Sequence, residues 1–271
     1  WIAPSNDTLH AKQISYGTGR ADFSVSWTPD NKIAFDSTAS GGRNIWIMNA
    51  DGGNQRQLTT EGGANQSVSP DGKTIAFASS RTGIAHVFLM DADGGNVKQL
   101  TNGSGEFVPT FSPDGKWVLY NSRQSGRITL WRVSADGGEP QQLTTSHSYN
   151  ISVSPNGKWL TANYREDTPN APDKLAIFPF EGGQPVKIFD NIPTAGQHIY
   201  WTPESRSLIY INTRNGISNL WMQPVDGGAP KQLTDFKSDI IYSFDYSRDG
   251  KKLALSRGTQ TIDVVLISNF R

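Results

Sequence analysis

Apolar and polar residues alternate in six short runs: Ile33 and Phe35, Ile75 and Phe77, Val118 and Tyr120, Leu160 and Ala162, Leu208 and Tyr210, Leu253 and Leu255. Period two predicts strands, because successive side chains of a strand point to opposite faces. Each run follows the same turn signal: Thr28-Pro29-Asp30, Ser69-Pro70-Asp71-Gly72, Ser112-Pro113-Asp114-Gly115, Ser154-Pro155-Asn156-Gly157, Thr202-Pro203-Glu204 and the degraded Ser247-Arg248-Asp249-Gly250. Measured at the second position, the steps are 41, 43, 42, 48 and 45 residues. A repeat of that length with four short strands per unit predicts a propeller blade.

Within each unit a third strand follows, carrying a large aromatic residue at Trp46, Phe88, Trp131 and Trp221, with Ala176 as the exception in blade four. These rings are expected to pack blade against blade. Turns Asp51-Gly52-Gly53, Asp93-Gly94-Gly95, Asp136-Gly137-Gly138, Glu181-Gly182-Gly183 and Asp226-Gly227-Gly228 come next. Their acids read as turn chemistry; a calcium loop needs several oxygens per turn and these supply one. Fourth strands end in Arg56-Gln57-Leu58-Thr59, Lys98-Gln99-Leu100-Thr101, Gln141-Gln142-Leu143-Thr144 and Lys231-Gln232-Leu233-Thr234.

The last unit runs out after three strands, and Lys12-Gln13-Ile14-Ser15 near the amino end is an orphan match to a fourth strand. The expected fold is therefore all-β: one six-bladed β-propeller of four antiparallel strands per blade, closed by an N-terminal strand that completes the last blade. Closure removes a sheet edge that would invite aggregation. The expected boundaries are a lead-in at 1–10, the outer strand of blade six at 11–15, and blades at roughly 22–59, 64–101, 106–144, 149–190, 196–234 and 241–271, all one domain.

Charge narrows the function. Lys and Arg number 25, as do Asp and Glu, which disfavours nucleic acid or an anionic membrane as a partner. No apolar run approaches the roughly 20 residues of a spanning helix, so membrane insertion of this segment is not expected. With no cysteine, the chain fits oxidising and reducing compartments equally. An opening on Trp1 points to an upstream region, such as a signal peptide, anchor or second domain, removed from it.

Ser-Pro-Asp-Gly-Lys at 112–116, Ile75-Ala76-Phe77, Ile45-Trp46-Ile47-Met48 and the Asp-Gly-Gly and Gln-Leu-Thr signatures together resemble the Trp-Asp-like propeller repeat of TolB and of many bacterial extracytoplasmic proteins. The resemblance covers nearly the whole chain. From Leu253-Ala254-Leu255-Ser256-Arg257-Gly258 to Asp263-Val264-Val265-Leu266-Ile267 and Phe270-Arg271, the chain also resembles the propellers that end bacterial receptor-type Ser/Thr kinases. That resemblance implies a sensor or scaffold domain in the periplasm or outside the cell, with kinase and membrane helix upstream. A fold hosts many functions, so the site must be argued separately.

Loops joining the fourth strand of one blade to the first of the next share a ring face with loops joining second and third strands. They are expected to bring Arg20, Asp22, Glu106, Phe107, His147, Tyr149, Asn150, Gln197, His198, Asp239 and Tyr242 around the channel mouth. Carboxylates, aromatics, amides and histidines in a concave mouth are the material of a ligand pocket. Arg81, Arg123, Arg165, Arg214 and Arg257 each follow a second strand, and residues in register with the repeat are expected to serve it, by pairing with nearby carboxylates or carbonyls. Blade four departs from the repeat in its loop from Tyr164 to Asp173, which includes Arg165, Glu166 and Asp167.

Three functions fit. The first is a monomeric, non-catalytic module that binds a protein, peptide or glycan, needing no cofactor and no metal. A second is a metal-dependent lyase or hydrolase using His147 and His198, whose placement with Gln197 resembles the metal sites of propeller-shaped pectate-degrading lyases; a third strong ligand is missing. The third is a structural spacer. A serine hydrolase is disfavoured by the lack of a Gly-x-Ser-x-Gly elbow, and a phosphate loop by glycines that sit in strand turns.

Overall fold

The computed structural model describes residues 1–5, 7, 10–15, 21–193 and 199–259, with only the backbone described at 21–23. The chain forms six antiparallel sheets arranged as a six-bladed β-propeller. Blade one is Ala21–Trp27, Lys32–Ser37, Asn44–Asn49 and Arg56–Gln57. Blades two to five repeat that meander, starting at Ala64–Val68, Glu106–Phe111, Ser148–Val153 and Tyr200–Trp201. Among the described residues no helix is long and apolar enough to cross a membrane.

Each sequence signature has a hydrogen-bonding reason. In the Ser-Pro-Asp-Gly turn, Ser112 Oγ donates to Asp114 Oδ1 at 2.6 Å and accepts from Trp117 N at 3.0 Å, while Lys116 N donates to Asp114. Two short side chains thus satisfy amides that the reversal would strand. In Gln-Leu-Thr, Gln99 Nε2 donates to Thr101 O at 2.7 Å and Thr101 Oγ1 accepts from Val87 N at 2.9 Å, fastening a two-residue edge strand. In two of the Gly-Gly turns the acid caps the reversal: Asp51 accepts from Gly53 N and Asp93 from Gly95 N; Glu181 instead pairs with Arg132.

Among the described residues six apolar clusters lie at the contacts between neighbouring blades. Phe88 packs in the cluster between blades one and two, Trp131 between two and three, and Trp221 between four and five. Burying such a ring is worth about 1.5–3 kcal/mol, so each blade is held chiefly by its neighbours.

Closure differs in one strand from the expectation. Blade six is Ile240–Tyr246, Lys252–Gly258 and Ile2–Pro4, with Ile2 paired to Ala254 and bridged to Lys12. Part of the expected 1–10 lead-in is therefore a third strand. Trp1-Ile2-Ala3-Pro4 repeats the pattern Trp221-Met222-Gln223-Pro224, and Trp1 packs between blades five and six as its counterparts do elsewhere. Gln13 Nε2 donates to Ser15 O at 2.9 Å, the same bond that every Gln-Leu-Thr strand makes, and Ile14 is buried against blade one. The third strand expected at the carboxy-terminal end of the 241–271 unit falls on residues outside those described.

Candidate functional site

The first strand of blade four ends the loop from blade three and sets the centre of the site. Its register shifts between Tyr149 and Ser152, and Asn150 in that bulge has φ 58°. Bulges re-aim the side chains beside them. His147 and Tyr149 are half-buried there, with ring centroids 5.4 Å apart. Tyr149 Oη donates to Asp173 Oδ2 at 2.9 Å, and Arg165 grips the same carboxylate with Nε to Oδ1 at 2.9 Å and Nη2 to Oδ2 at 3.0 Å.

The blade-four loop supplies Arg165 and Asp173, so the loop that departs from the repeat is tied to the predicted residues. It also reaches blade three, where the guanidinium of Arg127 is paired with Asp167. Lys174 bonds Glu166 at 3.4 Å and Asp190 at 3.0 Å. Burial pushes His147 below its ordinary pKa, and Arg165 adds to the shift, so the ring is neutral and able to accept at one nitrogen near pH 7. Burial and the Asp173 contact raise the Tyr149 phenol, which keeps its proton. The Arg165 bonds and the Tyr149 hydroxyl hold Asp173 ionised, outweighing the opposing burial that is its largest influence.

Other expected members are placed differently. Glu106 is 1 % exposed: His86 Nδ1 lies 2.7 Å from its Oε2, Thr101 Oγ1 donates to it at 3.0 Å, and Gly105 N donates to Oε1. Its carboxylate is turned into blade two and is not offered at the mouth. Phe107 is half-buried beneath Arg123, whose Cζ is 5.4 Å from the ring centroid. Asp239 pairs with Arg257 at 3.2 Å, and Tyr242 sits at the register shift in the first strand of blade six. Asp22 lies on the first strand of blade one. Arg20, Gln197 and His198 lie outside the described residues.

The five arginines after the second strands divide. Arg81 donates to Gly62 O at 3.0 Å and faces Glu61 at 3.8 Å, Arg165 holds Asp173, and Arg257 holds Asp239. Arg123 and Arg214 instead lie over Phe107 and Trp221, without an ion pair among the described residues. Asp173, Arg127 and Asp167 were not named as a cluster by sequence reasoning. The blade-four insertion was the signal for the two acids; nothing marked Arg127.

Among the described residues no group of three or more His, Asp or Glu side chains is arranged to hold a metal ion. The arrangement built from His147, Tyr149, Arg165 and Asp173 offers a neutral imidazole, a phenol and a fixed guanidinium on the loop face. Those groups can orient a polar ligand by hydrogen bonds.

Comparison with known proteins gives the following. The family described as the Tricorn protease N-terminal beta propeller domain matches residues 41–237. Tricorn protease homolog 1 of Streptomyces coelicolor is 31% identical over 87 residues, which is 32% of this chain and 8% of that protein. The chain therefore matches only a small part of that relative's length. The crystal structure of TolB from Acinetobacter baumannii superposes with a TM-score of 0.69 at 25% identity, covering 77% of this chain and 53% of that one. An oligogalacturonate lyase in complex with manganese superposes with a TM-score of 0.58 at 15% identity, covering 86% and 69%; that likeness is one of fold.

Proposed function

This chain belongs to the family of the Tricorn protease N-terminal β-propeller domain, and from that premise we propose that it is a non-catalytic binding propeller acting outside the cytoplasmic membrane. It presents the loop face at blades three and four to a protein, peptide or glycan, as a monomer and without a cofactor. The family and the TolB-like fold support a scaffold or binding domain. The finer reading, a sensor outside the membrane, rests on the kinase-propeller resemblance of residues 253–271.

One observation carries the choice of face. The part of the chain that departs most from the repeat, the loop from Tyr164 to Asp173, closes onto Tyr149 through Asp173, onto His147 through the Arg165 amide, which donates to His147 O at 2.9 Å, and onto blade three through Arg127. Conserving the repeat would not require those contacts, whereas a pre-organised binding surface does. The test is capture from a cell-envelope extract by the wild-type chain and by the His147→Ala, Tyr149→Ala double variant. A specific bound species lost in the folded double variant supports the reading. Stoichiometric manganese or zinc, lost on His147→Ala together with cleavage of an oligogalacturonide, would replace it with a lyase.

A further inference from the structure

Blade five departs from the repeat in another way. Its second and third strands, Ser207–Arg214 and Ile217–Pro224, are eight residues each and meet in a tight turn at Asn215-Gly216, where blades one to four spend six residues per strand and a longer loop. The hairpin projects beside the segment Asp235–Lys237, and a groove of about 250 Å³ lies between them.

Trp221 forms the groove's floor and Arg214 lies over it, guanidinium carbon 5.3 Å from the ring centroid. The ring contact helps to hold the guanidinium in place, and because Arg214 is exposed its N–H groups remain accessible from solvent. Unlike its counterparts Arg81, Arg165 and Arg257, Arg214 forms no ion pair among the described residues. The one acid in the groove, Asp235, has both oxygens on Lys237 Nζ at 2.7 Å. With Arg214, Lys237 and Asp235, the lining carries one net positive charge. Gln232 donates through Nε2 to Thr234 O, which orients its own carbonyl oxygen as an acceptor.

Gln232 also belongs to Lys231–Gln232, the outer edge strand of this sheet. An open edge beside a groove takes an extended chain by adding a strand. We propose that this groove binds an acidic peptide segment in extended form, with one carboxylate gripped by the fork of Arg214 and a neighbouring N–H donated to the Gln232 carbonyl. Charge complementarity selects the acid, since among the described residues the Arg214 cation is the charged group of the groove without an ion-pair partner. The site shares no residue with the blade-four cluster and does not rest on the function proposed above.

The experiment follows the Trp221 indole N–H, assigned with Trp221→Phe, by two-dimensional NMR of the isotope-labelled full chain. The probes are the capped peptides acetyl-Glu-Leu-Glu-amide and acetyl-Gln-Leu-Gln-amide, and free N-acetylglutamate. The acidic peptide is expected to shift the signal saturably, the amide peptide to bind about tenfold more weakly, and Arg214→Gln to weaken the acidic peptide by about tenfold, with Arg214→Lys between them. His147→Ala should leave the response unchanged. No shift, equal response to both capped peptides, or a response that survives Arg214→Gln in the folded protein overturns the site. N-acetylglutamate binding as tightly as the peptide overturns the peptide as occupant.

Discussion

Asp245 and Trp27 stand 218 positions apart and are joined twice: Trp27 N donates to Asp245 Oδ2 at 2.7 Å, and the Trp27 indole donates to Asp245 O at 3.1 Å. The pair spans the contact between blades six and one, where the ring closes. Burial pushes the Asp245 carboxyl up to about 6, against the bonds from Trp27 and Tyr200 that favour the anion. The folded state therefore binds this proton more tightly than the unfolded chain. The stability it adds is full below the ordinary value of 3.8 and is lost as pH rises through about 6. Asp245→Asn keeps the acceptor and should flatten the dependence of the urea midpoint on pH across that window. Asp245→Ala strands the buried Trp27 amide and should lose about 1–3 kcal/mol at pH below about 4, and less above about 6, where the buried anion is absent from the variant.

Blades also touch backbone to backbone at the Gly-Gly turns. At Gly52, φ is +87° and an added Cβ would sit 2.1 Å from the carbonyl oxygen of Ile14, in the strand that closes the ring. Gly137 has φ +96° with nothing within 4 Å. Gly137→Ala should therefore cost only the left-handed penalty of about 1–2 kcal/mol, and Gly52→Ala distinctly more. Equal midpoints in chemical denaturation would show that the turn does not press on the closing strand.

In blade one Asn44 Oδ1 accepts from Thr59 Oγ1 at 3.1 Å; in blade two the corresponding Thr101 hydroxyl donates instead to Glu106, from the first strand of blade three, which His86 also contacts. Glu106→Ala leaves His86 and the Thr101 hydroxyl without their shared partner inside the protein. It should destabilise by about 1–3 kcal/mol, read by thermal unfolding. Ligand capture by the folded fraction should be unchanged, because the carboxylate does not reach the loop face.

His147 should titrate below the ordinary 6.5 in an NMR pH series, since burial and then Arg165 disfavour its cation. Removing the guanidinium in Arg165→Gln should move the midpoint up without restoring 6.5, because the burial remains. A midpoint that falls on that substitution would show that Asp173, once released, no longer faces the ring.

The repeat was legible because its signals are local. Ser112 and Asp114 close their own turn, and Gln99 and Thr101 their own edge strand, so six blades and the closing role of Lys12-Gln13-Ile14-Ser15 could be read by counting. Trp1-Ile2-Ala3-Pro4 carried a third-strand pattern too, but one that lacks the Asp-Gly-Gly turn after it. The sequence by itself thus determined the blade unit and its number. Only the tertiary structure decided that Ile2–Pro4 pairs with Lys252–Gly258, that Glu106 turns inward to His86, and that Arg127 reaches Asp167. Those outcomes depend on contacts between residues distant along the chain, and a side chain's partner there is set by which blades become neighbours, a property of the closed ring and of no single repeat.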